Sequence, residues 1–407
     1  MTVLRGIVQR LGGVLLAQEI DVKDLKRRRR AKKAKRFFKK LIGVLLIAVF
    51  AVLVYYTKDR WIPFFDGIAT RYLPASQNTG ELAAGNFPIK ITGSSNYKVE
   101  TMENAFALLD DANFCVYSVS GEKMIYKQNH YANPFFCTNS KKALVYDMGG
   151  KNFSLESKYK TIYEKKIEDA IIFARLGGND YAAVVTKSDS FVSVMTVYNG
   201  YGEEIFKWKS VDSRIADVAF LPSGTGCVVA TIDASNGQLV SELHRFNFDQ
   251  KDEIWNSSDI DTMVLALKIM DDGTIVEVGD TKCAYYSSAG EYIGSYAYKT
   301  SLVDYSVSGQ KAALLLENEE RRKSSLVIIG DIKEDIKEIN VSDSSKQVLA
   351  EGEKVLLMTE NSIDEYASDG SIRTSVKISD DYMDFHKIGN YIFLLGYYDI
   401  NRIDFNG

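Results

Sequence analysis

NDYAAVVTKS (179–188) is followed closely by MTVYNGYGEE (195–204). The first stretch sets a short apolar run between two turn signals, the pattern of a nearly buried inner strand. The second alternates and then runs into glycine, the pattern of a strand ending in a tight turn. One such pair is a hairpin; its meaning depends on whether it recurs.

It recurs throughout. Copies of the apolar run are ENAFALLDD (103–111), KKALVYDMG (141–149), GTGCVVATID (224–233), DGTIVEVGD (272–280), GQKAALLLEN (309–318), EGEKVLLMTE (351–360) and GNYIFLLGY (389–397). Each precedes an alternating run, marked by Tyr117, Phe153, Tyr198, Phe246, Tyr286, Ile328, Tyr366 and Phe405. The markers are 36, 45, 48, 40, 42, 38 and 39 residues apart, close to the repeat of about 40–45 residues of a four-stranded propeller blade. Gly121, Gly202, Gly290 and Gly370 take the turn after the alternating strand, where positive φ is useful. The eighth unit stops after its third strand, and FPIKIT (87–92) is strand-like and unassigned, so it supplies the missing outer strand and closes the ring. The reading is a mostly β protein with eight blades. Seven is the alternative, because the 141–159 unit is compressed.

Outward toward the N-terminus the chemistry changes. Residues 41–56, LIGVLLIAVFAVLVYY, carry no charge. As a helix they rise about 24 Å, short of a hydrocarbon core of about 30 Å. Phe37 and Phe38, the snorkelling Lys39 and Lys40, and Thr57 make up the difference. The formal net charge of -4 hides an asymmetry: residues 1–40 hold fourteen Lys or Arg against three acids, so the rest of the chain is strongly acidic. Arg27, Arg28, Arg29, Arg30, Lys32, Lys33, Lys35, Arg36, Lys39 and Lys40 lie on one side of the apolar run. They place the N-terminus in the cytoplasm and face anionic lipid. The basic region is too long for a cleaved signal peptide. Residues 3–17 form either an amphipathic surface helix or a loose tail. The expected organisation is a basic cytoplasmic tail (1–40), a transmembrane helix (41–57), a juxtamembrane linker (58–84) and an extracellular propeller (85–407), in a single-pass protein of the cell membrane.

A search for chemistry is less productive. The sequence contains no G-x-S-x-G, H-E-x-x-H, P-loop or dinucleotide fingerprint in a supporting context. His130, His244 and His386 fall in separate units and read as structural or surface residues. Asp110 with Asp111, Asp271 with Asp272, and Asp380 with Asp381 do not match a calcium loop, and the Asp-Gly pairs are hairpin chemistry first. Cys115, Cys137, Cys227 and Cys283 read as small buried hydrophobes, with a disulfide as the alternative. No metal, cofactor or catalytic residue is expected. A nucleic-acid partner is excluded by an acidic folded domain.

The repeats over residues 85–407 resemble the quinoprotein-like and WD40-like propeller superfamily, in pattern rather than signature. No blade carries the WD dipeptide, and the tryptophan docking motif of the quinone enzymes is absent, with Trp208 and Trp255 the domain's tryptophans. Tail, anchor and divergent propeller together resemble an uncharacterised family of membrane-anchored proteins of Gram-positive bacteria. That resemblance implies a propeller on a membrane tether and transfers no site residue. The expected function is a protein-interaction scaffold or ligand-sensing module with an envelope or surface protein as partner and the bilayer as support. The alternatives are a glycan-binding module of the cell envelope, or a carbohydrate- or quinone-dependent enzyme.

Overall fold

The eight apolar runs all fold as the second strand of a four-stranded sheet. A computed structural model describes residues 82–83, 86–91, 97–235, 237–318 and 323–405, and the regular structure among them is all strand. Eight antiparallel sheets follow one another around a ring, which settles the blade count at eight. The compressed 141–159 unit has all four of its strands.

The apolar second strands are β3 (Ala105–Leu109), β7 (Lys142–Asp147), β11 (Ala182–Thr186), β15 (Gly226–Ser235), β19 (Ile275–Gly279), β23 (Lys311–Asn318), β27 (Lys354–Thr359) and β31 (Tyr391–Gly396). They are inner strands, as the sequence reading has it, but not the innermost. A further strand precedes each one and lines the axis. These are β2 (Lys98–Met102), β6 (Pro134–Thr138), β10 (Ile171–Leu176), β14 (Arg214–Phe220), β18 (Val264–Ile269), β22 (Ser301–Ser308), β26 (Ser345–Glu351) and β30 (Tyr382–Ile388). Innermost strands of neighbouring blades touch, β14 against β18, β22 against β26 and β30 against β2 among them.

The alternating runs form the third strands, β4 (Asn113–Ser118), β8 (Asn152–Ser157), β12 (Ser193–Tyr198), β16 (Gln238–Asn247), β20 (Lys282–Tyr286), β24 (Lys323–Asp331), β28 (Ser362–Ala367) and β32 (Asp399–Asp404). The outer strands are β5 (Lys123–Gln128), β9 (Thr161–Lys166), β13 (Glu204–Ser210), β17 (Trp255–Asn256), β21 (Tyr292–Ala297), β25 (Asp335–Val341) and β29 (Ile372–Lys377).

The eighth outer strand comes from the other end of the chain. It is β1 (Ile89–Lys90), within the FPIKIT segment, and it pairs with Ile400 and Asp399 of β32. Leu82 bridges to Ile403, and the Ala83 N–H donates to the Arg402 carbonyl. Arg402 then donates to the Val119 carbonyl of blade 1 at 2.8 Å. Phe106 of blade 1 packs on Phe393 of blade 8 with centroids 4.8 Å apart.

The core is distributed between blades. Buried apolar residues form eight clusters, each drawing on two neighbouring blades. Ala182 and Val184 of β11 face blade 2, while Ala183 and Val185 of the same strand face blade 4. Burial on both faces is why the second strands lack alternation.

Among the described residues no helix is long and apolar enough to cross a membrane. The anchor read at 41–57 lies outside the described residues.

Gly290 shows why the turn glycines matter. Its φ is +83°, and a Cβ there would sit 2.6 Å from the Trp255 indole on the preceding blade's outer strand. Gly290→Ala should cost about 1–3 kcal/mol and lower the unfolding midpoint by several degrees. Gly149→Ala, at φ +84° with open space around it, should cost less, and calorimetry on the two variants separates backbone strain from the clash.

Candidate functional site

The innermost strands carry the polar groups that a buried core excludes. Six of them contain a β-bulge near their start. A bulge leaves one residue outside the ladder and re-aims its side chain. The residues set aside are Ile172, Ala216, Leu265, Val303, Lys346 and Met383. Leu265, Val303 and Met383 are 42%, 44% and 37% exposed. On an innermost strand flanked by two other blades, that exposure is to the central channel. The result is a partly apolar rim.

The residue after each bulge is often polar, and it reaches the next blade. An innermost strand has a free edge whose N–H groups need partners. Asp217 Oδ2 accepts from the Leu267 N–H at 2.8 Å, and Asp304 Oδ2 accepts from the Val348 N–H at 2.8 Å. Gln347 Oε1 accepts from the Phe385 N–H at 2.7 Å, and its amide donates to the Phe385 carbonyl at 3.2 Å. In each case the donor immediately follows the corresponding post-bulge position of the next blade. Ser306 Oγ makes a similar link one turn of the pleat further on, accepting from Ala350 N–H at 3.0 Å.

Charge gathers at the same level. Arg175 Nε donates to Asp217 Oδ1 at 2.7 Å. Loss of hydration pushes the Glu100 carboxyl above its ordinary range; Asp384 adds to the push, and His386, Lys268 and Arg175 oppose it. These groups come from blades 1, 8, 5 and 3, so they share one space. Asp304 is also pushed up by burial, against hydrogen bonds from the Val348 and Tyr305 N–H groups. The channel thus offers cationic donors and carboxylate acceptors beside an apolar rim, an arrangement suited to holding a peptide segment of mixed character.

The residues singled out from sequence lie elsewhere, apart from His386. Gly121, Gly202, Gly290 and Gly370 occupy turns between third and outer strands, with φ from +80° to +86°. The basic cluster from Arg27 to Lys40 is outside the described residues. His130 follows β5, His244 is on β16 and His386 on β30, so the structure does not join them into one site. His244 Nδ1 contacts Glu253 Oε1 at 2.6 Å and Nε2 contacts Thr231 Oγ1 at 3.1 Å, a chain of contacts inside blade 4. Asp110 caps its own turn through the Ala112 and Asn113 N–H groups, and Asp272 caps Thr274. The four cysteines are free thiols, three of them buried. Among the described residues no group of His, Cys, Asp and Glu is placed to hold a metal ion. Sequence reasoning missed Asp217, Asp304, Gln347 and Asp384. The signal was present as a recurring trio, ADV (216–218), VDY (303–305), KQV (346–348) and MDF (383–385).

Asp217 is 2% exposed and serves the Arg175 and Leu267 donors together. Asp217→Ala should therefore destabilise by about 2–4 kcal/mol, and Asp217→Asn by less because one acceptor survives, as denaturant titration can check. Glu100 gives a pH signature. Its folded carboxyl holds its proton to higher pH than the unfolded one, so its contribution to stability declines as pH rises above about 4.3. Glu100 is an exposed side chain of β2, so solvent screens the effect: Glu100→Gln should melt only slightly above the wild type at pH 7 and converge with it toward pH 4 in scanning calorimetry.

Comparison with solved structures identifies the fold. Sqt1 of Saccharomyces cerevisiae superposes with a TM-score of 0.60 at 9% identity, covering 79% of this chain and 98% of that one. BamB from Moraxella catarrhalis gives 0.54 at 9% identity, covering 80% and 97%. The quinohemoprotein alcohol dehydrogenase ADHIIG from Pseudomonas putida HK5 gives 0.55 at 10% identity, covering 83% and 79%. At such identities the likeness is one of fold. No curated protein matches the sequence. A family model does match, over residues 86–403, which is most of the ring. The chain belongs to the family of unknown function DUF5711.

Proposed function

We propose that this chain is an interaction module, a propeller held outside the cytoplasm by a single membrane anchor, with the channel mouth as its docking point for a segment of an envelope or surface protein. The observation that carries the reading is the rim of exposed Leu265, Val303 and Met383 above the charged groups of the channel. Apolar side chains on the innermost strands contribute nothing to the inter-blade core while they face water, and they suit an apolar anchor residue on a partner. Glu100, Lys268 and Asp384 beneath them would set its register and charge preference. The anchor rests on the uncharged run at 41–56 and the one-sided basic block before it. Propellers such as Sqt1 and BamB share the fold, and the proposal transfers nothing specific from them.

The test is capture from membranes of the native host with the full-length chain. Wild type should retain a reproducible protein partner. The double variant Leu265→Asp, Val303→Asp should retain at least tenfold less while keeping the wild-type far-UV spectrum. Equal capture by both, or no reproducible partner, counts against the reading. A C-terminal tag that antibody reaches on intact cells checks the orientation, and a tag reached only after permeabilisation refutes it.

A further inference from the structure

The turn between the second and third strands of blade 8 departs from its counterparts in composition. Asp280 and Thr281 make this two-residue turn in blade 5, and Glu360 and Asn361 make it in blade 7. Both are polar pairs, as turns in water favour. Blade 8 has Tyr397 and Tyr398 in the same place, between β31 and β32. They are 56% and 70% exposed. A turn this short does not require an aromatic ring, and rings left in solvent add nothing to the inter-blade core.

Strand register joins this turn to the rim of the channel. Tyr382 pairs with Gly396 and Asp384 with Leu395, so the bulged Met383 lies beside the last two residues of β31, immediately before Tyr397. Exposed apolar positions therefore run from Met383 at the channel mouth outward along one edge of blade 8. The far end of the chain fixes the turn. The Tyr97 hydroxyl donates to the Gly396 carbonyl at 2.6 Å, and the Ile91 N–H donates to the Tyr398 carbonyl at 2.8 Å. Lys90 Nζ lies 2.9 Å from Asp399 Oδ2. The backbone that carries the two rings is thus held before any partner arrives, which lowers the ordering cost of binding.

Carboxylates bracket the same turn and set the charge of what it can hold. A Cβ at Gly396 would lie 3.1 Å from Asp399 Oδ1 and 3.8 Å from the Asp381 carbonyl oxygen, which puts both aspartates at the turn. Burial, and after it the charges of Asp399 and Asp384, push the Tyr97 phenol up; burial, Asp399 and Asp381 do the same to Tyr382. Asp380 and Asp381 are exposed. Lys90, at Asp399, and Lys346, whose Nζ donates to the Tyr382 carbonyl at 2.9 Å, offset only part of this charge. Phenol faces beside carboxylates suit a guanidinium, which stacks on the ring and hydrogen-bonds to the acid. The same carboxylates repel an anionic surface. We propose that the segment docked at the channel mouth is an extended peptide bearing arginine, which leaves the channel past Met383 and lays its guanidinium groups over Tyr397 and Tyr398. This path rests on the reading of the channel mouth as the docking point.

The experiment uses the full-length chain in phosphatidylcholine nanodiscs. The probe is a fluorescein-labelled nonapeptide alternating arginine and serine, with leucine at its centre, titrated by anisotropy. It should bind saturably, and a counterpart with glutamate for arginine should bind about tenfold more weakly. Tyr397→Ser with Tyr398→Asn restores an ordinary polar turn. That variant should keep the wild-type melting temperature and bind the arginine probe about tenfold more weakly. Hydroxyl-radical footprinting should oxidise Tyr397 and Tyr398 in the free chain and spare them when the probe is bound. In capture from host membranes the tyrosine variant should lose the partner that wild type retains. Absence of probe binding, undiminished binding or capture by the tyrosine variant, or tyrosines already shielded by the bilayer without probe would each overturn the blade 8 path. Loss of the partner from Leu265→Asp, Val303→Asp alongside any of those results would leave the channel mouth standing as the docking point.

Discussion

Burial of each second strand on both faces is the constraint from which the rest of the structure follows. A single blade is a four-stranded sheet with apolar side chains on both sides of its second strand, and it cannot cover either side itself. Its neighbours must do so, and they have the same need. The only arrangement that satisfies every blade is a closed ring, because an open row would leave two apolar faces in water. Side-chain size follows the taper of the wedge. Alanines such as Ala105, Ala107, Ala182, Ala183, Ala312 and Ala313 lie on second strands, where the blades converge, and aromatics such as Phe153, Phe246 and Tyr286 lie further out on third strands. Burying such an aromatic fully is worth about 1.5–3 kcal/mol relative to exposure. Most of the folding energy therefore resides between blades.

The innermost strands answer a different requirement. They have no further strand to pair with, so their free edges face the channel. Side chains of the preceding blade meet part of that need, as Asp217, Asp304 and Gln347 do. The bulges make this possible by shifting the following residue into reach of the neighbouring backbone. The same displacement turns Leu265, Val303 and Met383 outward. Blade-to-blade stitching and the exposed rim are thus two results of one backbone irregularity, which couples the integrity of the fold to the surface it exposes.

That division of labour explains what could be read from the residues. Second strands announce themselves because two-faced burial removes polar residues from runs such as AAVV (182–185) and LLL (314–316). Third strands are legible from their aromatic markers and the glycines that follow, where positive φ narrows the choice of residue. Innermost strands such as IIFARL (171–176) and RIADVAF (214–220) are obscured, since a bulge breaks the period of two and channel-facing positions mix Asp, Arg and apolar residues. Channel groups were missed for that reason: Glu100 and Lys268 are far apart in sequence and meet only through the ring.

The splice between β1 and β32 sets an order of events during biosynthesis. β1 emerges from the ribosome before every other strand described, and its partner emerges after them all. Until β31 and β32 are available, Phe87 and Phe106 lack Phe393, and Ile89 lacks its strand partner Ile400. Seven interfaces can form as the chain appears, but the eighth waits. A polypeptide halted before β32 would carry most of a ring with an open seam, exposing apolar surface at both of its edges. Arrival of β32 is thereby written into the shape of the product, and a quality-control protease or chaperone could tell closed rings from open ones by that seam alone.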